Sequence, residues 1–230
     1  MNVTYMHHMG SDLTVVNAAR VSFDKESKDY DIAVWDTPDL LVPIILVNNK
    51  DAKLINYLAE HHHWLPFRHP TVMFRCKAPI FVARQAVKHQ VGMSWSEVSR
   101  RYVTGDPEFY TPEVWRKAAA NKKQGSQEES IDKPFFVSND YEKLIRRATA
   151  QYAWLLSRGV APEQARMVLP QSMYTEWVWT GTLLAWAHFV KQRTEVHAQK
   201  EIQDFAKLFI PHLERLYPVS WEALVREYQA

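Results

Sequence analysis

The residues best suited to chemistry form one basic segment near the middle of the chain. Residues 75–101 carry six Lys and Arg but a single acid, Glu97. The six bases are Arg75, Lys77, Arg84, Lys88, Arg100 and Arg101. On a helix, Arg84 and Lys88 share one face because they are four residues apart. This pattern is consistent with a solvated basic face and also with a phosphate-binding face.

The turn that follows favours a phosphate ligand. Residues 96–102, SEVSRRY, combine a carboxylate, hydroxyls, backbone N–H groups and two guanidiniums. Guanidiniums bind phosphate through paired hydrogen bonds, and a neighbouring carboxylate suits a ribose hydroxyl or a base N–H. No GxGxxG or GxxxxGK occurs in the chain, so neither a Rossmann nor a P-loop site is indicated. The set resembles a nucleoside monophosphate site built without a glycine-rich loop.

Three other reactive-looking features are interpreted as non-catalytic. Cys76, the one cysteine, lies in an alternating apolar segment without an activating base, so we predict a core residue. Adjacent helical side chains point about 100° apart, so residues 61–63, all His, cannot converge on one ion, and no metal site is predicted. Ser99 has no His or Asp at triad-like spacing, and we interpret its hydroxyl as a phosphate donor.

The composition limits the class of protein. The chain has 230 residues, 28 Lys and Arg against 26 Asp and Glu, and 47% hydrophobic residues, which is typical of a globular protein. One cysteine excludes an intramolecular disulfide and an all-thiolate zinc site. The sequence has no apolar run of about 18 residues and no signal-peptide pattern, so we expect a cytoplasmic protein without a membrane partner. The near-neutral charge argues against general nucleic-acid binding.

Periodicity and boundary residues predict the elements that position these groups. Strands are expected at 71–77 and 174–180, and helices at 51–63, 79–91, 139–159, 161–170, 182–193, 196–209 and from Ser220 onward. Residues 12–23 fit either a strand or a short helix. The segments without either signal are a polar turn at 92–101, a loop at 24–39, and 120–133, which is a loop or the end of a charged helix. We expect one α+β domain, residues 1–230, with a small, mainly antiparallel sheet packed by several helices and a variable polar loop region at 105–139.

Five blocks of the sequence, in order, resemble the flavin-dependent thymidylate synthase family. The central block is APIFVARQAVKHQVGMSWSEVSRRY. The family signature, Arg-His-Arg followed by seven residues and Ser, reads here Lys88-His89-Gln90 followed by eight residues and Ser99. The flanking blocks are MGSDLTVVNAARVSF, HHHWLPFRHPTVMFRCKAPIFVARQ, EQARMVLPQSMYTEWVWT and KQRTEVHAQKEIQ. The chain departs from the usual family residues on the expected flavin side at Leu65, Arg68, Thr182, Leu184 and His188.

The resemblance implies reductive methylation of dUMP to dTMP. The family takes the carbon from 5,10-methylenetetrahydrofolate, uses reduced FAD as the hydride source and NADPH to reduce the flavin, and needs no cysteine nucleophile. It forms homotetramers whose active sites are shared between subunits. Two alternatives stay open: the same fold acting on dUMP to give a hydroxymethyl product, and a non-catalytic nucleotide- or nucleic-acid-binding protein built on the basic segment.

The resemblance also assigns site residues. Arg193 is the catalytic candidate, expected near N3 and O4 of the uracil, where a guanidinium polarises the ring. The expected dUMP contacts are Gln85, Glu97, Val98, Ser99, Arg100, Arg101, Arg166 and Arg193. The expected FAD contacts are His63, Lys88, His89, Gln90, Val91, Thr182 and His188. We expect Arg166 to face the interior, where a guanidinium needs an anionic partner.

One apolar helix face is left with two interpretations. It consists of Leu183, Trp186, Phe189 and Val190. Such a face packs either in the core or in a subunit interface.

Overall fold

Eight strands and nine helices lie within residues 1–37, 41–119 and 126–227, the part of the chain described by this computed structural model. The strands are β1 (Asn2–Met9), β2 (Tyr30–Asp36), β3 (Leu41–Val47), β4 (Thr71–Pro79), β5 (Met93–Glu97), β6 (Arg116–Ala118), β7 (Ser126–Ser130) and β8 (Tyr174–Thr182). The helices are α1 (Asp12–Arg20), α2 (Asn49–Glu60), α3 (Ile80–Ala86), α4 (Pro134–Ser157), α5 (Pro162–Ala165), α6 (Leu183–Thr194), α7 (Lys200–Lys207), α8 (Ile210–Leu216) and α9 (Pro218–Glu227). Short 3₁₀ helices lie at Val21–Phe23, Leu65–Arg68 and Arg166–Val168.

A four-stranded antiparallel sheet, in the order β1-β4-β8-β5, forms the centre of the fold. Its two middle strands pair over nine residues, from Thr71 opposite Thr182 to Pro79 opposite Tyr174. Strands β2 and β3 form a separate two-stranded sheet, as do β6 and β7. The predicted α+β class and the strands expected at 71–77 and 174–180 are confirmed.

One face of the sheet builds the hydrophobic core because side chains alternate along β4 and β8. Phe74 and Cys76 of β4 and Trp177 and Trp179 of β8 point to this face and are buried. Burial raises the pKa of the Cys76 thiol well above its ordinary value. Cys76 is therefore confirmed as a core residue without the properties of a nucleophile.

The apolar face of α6 packs against the same side of the sheet. All four of its residues are buried, which settles the two interpretations in favour of the core: Leu183, Trp186, Phe189 and Val190. The ring of Trp186 lies over the end of β8, where a Cβ on Gly181 would come within 2.9 Å of it. Glycine at position 181 thus permits the close approach of helix and strand.

Two helices leave the central strand pair at opposite ends. Strand β4 runs directly into α3, and β8 runs directly into α6. Because the strands are antiparallel, the helices start far apart and their C-terminal ends approach each other. This arrangement brings residues from around position 85 next to residues from around position 193.

Several sequence-based boundaries were wrong. Strands β2, β5 and β7 lie in segments predicted as loops or turns at 24–39, 92–101 and 120–133. These strands are short and mostly exposed, so their alternation of polar and apolar residues is weak. Positions 38–39 and 120–125 of those segments lie outside the described residues. The region 105–139, expected to be a polar loop, also includes β6 and the first turn of α4.

Several helix ends differ from those predicted. Helix α3 ends at Ala86 instead of reaching position 91, and α4 begins at Pro134, five residues before the predicted start. The segment expected as one helix at 196–209 contains only the short α7. Residues 12–23 are helical. Helix α9 starts before Ser220, because the buried carboxylate of Asp12 accepts hydrogen bonds from the Val219 and Ser220 N–H groups and so supplies the cap.

Candidate active site

Arg193 is held at the point where α6 meets the end of α3. Its Nε donates a hydrogen bond to Nε2 of His89 at 2.8 Å, and Nη2 donates to the carbonyl oxygen of Gln85 at 3.2 Å. These contacts engage two of the five N–H donors of a guanidinium and fix its plane. We call Gln85, His89 and Arg193 the Arg193 cluster.

His89 is neutral at physiological pH. Burial is the main cause that lowers its pKa, and the charges of Arg193 and His188 lower it further, to about 4. The ring packs edge-on against Phe189 at a centroid distance of 5.0 Å. Because the unprotonated Nε2 accepts the bond from Arg193, the ring proton lies on Nδ1.

A second group of predicted site residues follows the end of β5. The carboxylate of Glu97 accepts hydrogen bonds from the Thr175 hydroxyl at 2.7 Å and from the Trp95 indole N–H at 3.2 Å. The N–H of Val98 donates to the carbonyl of Glu176 at 2.9 Å, so the chain leaves the sheet along the start of β8.

The turn after Val98 presents hydroxyl and guanidinium groups close together. The Ser99 Oγ accepts from the N–H of Arg101 at 3.3 Å. The guanidinium of Arg100 donates to the carbonyls of Gly105 and Asp106. Arg101 forms an exposed ion pair with Glu163 at 3.1 Å.

Arg166 lies with the residues that follow β5, but its side chain does not face the interior as the sequence analysis predicted. Its Nε donates to the carbonyl oxygen of Glu163 at 3.3 Å, so Glu163 brings Arg101 and Arg166 together. The expectation that Arg166 faces the interior was wrong, because only Ala165 of this short segment packs inward while Arg166 is exposed. We call the six predicted residues the β5-exit cluster: Glu97, Val98, Ser99, Arg100, Arg101 and Arg166.

Strand β5 separates the two clusters. His89 precedes the strand and Glu97 ends it. The contacts described above join the residues expected to bind dUMP into two groups, one around Arg193 and one after Glu97.

The residues expected to contact flavin surround the turn before β5. Lys88, Gln90 and Val91 are exposed, and Val91 is 84% exposed. Gly92 has a φ of +73°, and a Cβ there would lie 2.9 Å from Oγ1 of Thr182. The N–H of Thr182 donates to the carbonyl of Gly92 at 3.0 Å, so the turn is fixed against the start of α6.

The remaining flavin candidates are more dispersed. On α6, partial burial and the charges of Lys191 and Arg68 lower the pKa of His188. His63 is exposed, with its ring parallel to that of Tyr57 at 6.2 Å.

Two positions that depart from the family pattern differ in exposure. Leu65 is exposed, whereas Leu184 is buried in the core and presents no side chain to a ligand. Among the described residues, no group of three or more His, Cys, Asp or Glu is arranged to hold a metal ion. Within the same ranges, no helix combines the length and apolarity needed to cross a membrane.

Three polar residues near the Arg193 cluster were missed by the sequence analysis. Gln85 Nε2 donates to Gln199 Oε1 at 2.6 Å, and Gln199 Nε2 donates to Glu201 Oε2 at 2.8 Å. Arg116 donates to Glu201 Oε1 at 2.7 Å. A signal for Glu201 existed, because it lies four residues before Phe205 on the apolar face of α7. Arg116 gave no such signal.

The family of the chain follows from comparison with known proteins. A family model described as "Thymidylate synthase complementing protein" matches residues 4–219. The chain is 37% identical over 221 residues to a flavin-dependent thymidylate synthase of Thermus thermophilus, a match covering 96% of this chain and 74% of that protein. The chain belongs to the flavin-dependent thymidylate synthase family. The resemblance inferred from the sequence blocks is thereby confirmed.

Other relatives of this flavin-dependent thymidylate synthase family member agree in sequence and fold. The Thermosipho africanus flavin-dependent thymidylate synthase is 37% identical over 219 residues, covering 95% of this chain and 88% of that protein. A crystal structure of the UMP/dUMP methylase PolB from Streptomyces cacaoi, bound with 5-Br UMP, superposes with a TM-score of 0.82 and 28% identity. That match covers 100% of this chain and 95% of the methylase chain.

The contact between Arg193 and His89 leads us to predict how the pKa of His89 responds to loss of the arginine. In an Arg193→Gln variant we expect the pKa of His89 to rise from about 4, because a nearby positive charge that disfavours the imidazolium is removed. The value stays below the ordinary 6.5 because burial, the larger cause, persists. An NMR pH titration of the histidine rings measures the shift.

Lys191→Gln is the matched control, because it removes a positive charge from the same helix that influences His188. It raises the pKa of His188, and because the charge of His188 acts on His89 in the lowering direction, the pKa of His89 does not rise. An unchanged His89 pKa in Arg193→Gln contradicts the contact.

Proposed function

We propose that this chain converts dUMP to dTMP by reductive methylation, with 5,10-methylenetetrahydrofolate as the carbon donor, FAD as the hydride carrier and NADPH as the reductant of the flavin. The observation that carries the proposal is the guanidinium of Arg193, fixed by His89 and the Gln85 carbonyl at the junction of α3 and α6. Family membership supports the same reaction.

Arg193 is suited to activate the pyrimidine without a covalent nucleophile. C5 of uracil attacks a carbon electrophile only when negative charge develops over N3, C4 and O4. A guanidinium whose plane is already fixed stabilises that charge without reorganising during the reaction. Since Cys76 is buried with a raised pKa, this electrostatic activation takes the place of attack by a thiolate.

The β5-exit cluster is suited to the phosphate of the nucleotide. Ser99, Arg100, Arg101 and Arg166 offer a hydroxyl and three guanidiniums, which match a dianionic phosphate. The exposed ion pair of Arg101 with Glu163 is weak, so a phosphate can replace the carboxylate. In this proposal Glu97 and Val98 hold the turn that presents these groups, through Thr175, Trp95 and the carbonyl of Glu176.

The turn before β5 fits FAD by the chemistry of its donors. Lys88 suits the pyrophosphate, Arg68, whose charge acts on His188, offers a second cation, and the exposed Val91 offers an apolar surface to a ring. In this proposal His89, Gln90, Thr182, His188 and His63 complete the contacts. When bound, FAD supplies the hydride that reduces the transferred carbon to a methyl group.

We further propose that the active site is completed by a second copy of the chain in a homotetramer. Two observations support this assembly. The contacts join the candidate residues into two separate clusters, and α4 has one buried side chain, Tyr152, among its 24 residues. The helix exposes large apolar side chains that a second copy would cover: Phe135, Phe136, Leu144 and Trp154. A cytoplasmic location fits the free Cys76.

The alternatives differ in simple observables. A hydroxymethyl product contains one more oxygen than dTMP, so mass spectrometry of the nucleotide separates the two. A non-catalytic nucleotide- or nucleic-acid-binding protein would show no flavin absorbance near 450 nm and salt-sensitive binding to nucleic acid. Because the Streptomyces cacaoi relative is described as a methylase of both UMP and dUMP, the assay includes UMP.

The proposal predicts that Arg193→Ala separates catalysis from flavin binding. We expect turnover of dUMP to fall by about a hundredfold or more, since the charge on the pyrimidine loses its partner. FAD binding persists, because the backbone of the turn at 88–92 is held by the hydrogen bond from the Thr182 N–H to the Gly92 carbonyl, which the substitution leaves in place. NADPH oxidation by FAD-loaded protein, with and without dUMP, and flavin absorbance measure the two effects.

Arg84→Ala is the control for this variant, because Arg84 is an exposed arginine of α3 that precedes Gln85. It retains full turnover. Wild-type activity in Arg193→Ala is incompatible with the role assigned to Arg193.

The shared site predicts complementation between inactive variants. Arg193→Ala lacks a group of the Arg193 cluster, and the double variant Arg101→Ala/Arg166→Ala lacks two groups of the β5-exit cluster. In mixed oligomers made by co-expression, about a quarter of the sites combine two intact clusters from different chains. We expect dTMP formation to recover to that fraction of the wild-type rate.

Arg193→Ala combined with His89→Ala is the control, because both changes affect one cluster and no intact site can form. If the first mixture stays inactive although mixed oligomers are isolated, the site lies within one chain.

A further inference from the structure

Glu201 is a buried carboxylate beside the Arg193 cluster. Its residue is 5% exposed, and its oxygens accept hydrogen bonds from Arg116 at 2.7 Å and Gln199 at 2.8 Å. Burial opposes ionisation and is the largest single influence. The hydrogen bonds from Arg116 and Gln199, with the charge of Arg116, together outweigh it and lower the pKa of Glu201. Glu201 is therefore ionised at neutral pH and acts only as a hydrogen-bond acceptor.

Because Glu201 only accepts hydrogen bonds, it determines the orientation of the Gln199 side-chain amide, which in turn determines that of Gln85. Gln199 must turn its NH₂ group toward Glu201, which leaves its Oε1 to accept from Gln85 Nε2 at 2.6 Å. The Nε2 of Gln85 also lies 3.5 Å from the carbonyl oxygen of Phe81. Because both contacts engage the NH₂ group, the side-chain oxygen of Gln85 is turned away from Gln199.

We propose that Glu201 is a positioning residue that, through Gln199, makes the side chain of Gln85 a hydrogen-bond acceptor toward the nucleotide. The inference rests on the proposed function, in which Gln85 contacts dUMP. In this proposal Glu201 affects how selectively dUMP is bound, although its carboxylate does not contact the nucleotide.

The chemistry of dUMP indicates which group this acceptor meets. At neutral pH the nucleotide has two hydrogen-bond donors, the ring N3–H and the 3′-hydroxyl. Arg193 has donors only and, in the proposed reaction, stabilises a pyrimidine that carries negative charge at N3. The remaining donor is the 3′-hydroxyl, and we assign it to Oε1 of Gln85.

The test uses Glu201→Gln in the full-length, FAD-loaded protein. Dissociation constants are measured by calorimetry for dUMP and for 2′,3′-dideoxyuridine 5′-monophosphate, which lacks the 3′-hydroxyl. We expect wild type to prefer dUMP by about tenfold, the effect of one well-placed hydrogen bond. In Glu201→Gln a carboxamide can donate to Gln199 and reverse both amides, so the preference disappears. The KM for dUMP then rises more than kcat falls.

Asp204→Asn is the matched control. It makes the same chemical change on the same helix, but Asp204 pairs with Lys200 at the surface, so the preference for dUMP is retained. A second variant, Gln199→Leu, interrupts the relay directly and removes the preference. Adding Glu201→Gln to Gln199→Leu then changes the dUMP affinity no further, whereas a general structural defect would add its own loss.

The outcomes separate this inference from the proposed function. If Glu201→Gln, or Gln199→Leu where the first variant does not fold, keeps the tenfold preference, the positioning role is overturned. A further loss in the double variant also overturns it. If wild type binds dUMP without preference over the dideoxy analogue, the assignment to the 3′-hydroxyl fails. If wild type binds no dUMP at all, the proposed function fails instead.

Discussion

The antiparallel pairing of β4 with β8 determines the position of the catalytic candidates. Nine consecutive residue pairs fix the register, and each strand continues without a loop into a helix. The helices start at opposite ends of the strand pair, so Gln85 and Arg193 meet although they are far apart in sequence. Buried tryptophans on β8 and α6 secure the helices on the sheet, and each contributes roughly 2–3 kcal/mol by burial.

Within this frame, local environments set which groups donate and which accept hydrogen bonds. His89 is kept neutral by burial and by the adjacent Arg193, so it accepts from the guanidinium and orients it. Glu201 is kept ionised by Arg116 and Gln199, so it orients the amides on the other side of Gln85. The neutral His89 and the ionised Glu201 thus orient Arg193 and the side chain of Gln85, two of the groups proposed to contact the nucleotide.

The sequence predicted the parts of this arrangement that depend on local pattern. The strands at 71–77 and 174–180 alternate over a long enough stretch to be recognised, and the family followed from ordered blocks of residues. Strand β5 was predicted as a turn because its serines resemble turn residues and only its pairing with β8 makes it a strand. Arg166 was expected to be buried because its neighbours Ala165 and Met167 are apolar. The composition of so short a segment does not show which of its side chains face solvent.

The relay from Arg116 through Glu201 to Gln85 lay beyond sequence reasoning for a different reason. Its members come from β6, α7 and α3, and no periodicity connects residues separated by such distances along the chain. The contact between Arg193 and His89 is similar, because the resemblance named both residues but assigned them to different ligands.

The central claim is that this chain methylates dUMP without a thiol nucleophile. The most direct measurement is mass spectrometry of the nucleotide formed from dUMP, 5,10-methylenetetrahydrofolate and NADPH by the FAD-loaded protein, for wild type and Cys76→Ala. The account predicts dTMP from both proteins in comparable amounts. Absence of dTMP from the wild type, or its loss in a folded Cys76→Ala variant, would contradict the account.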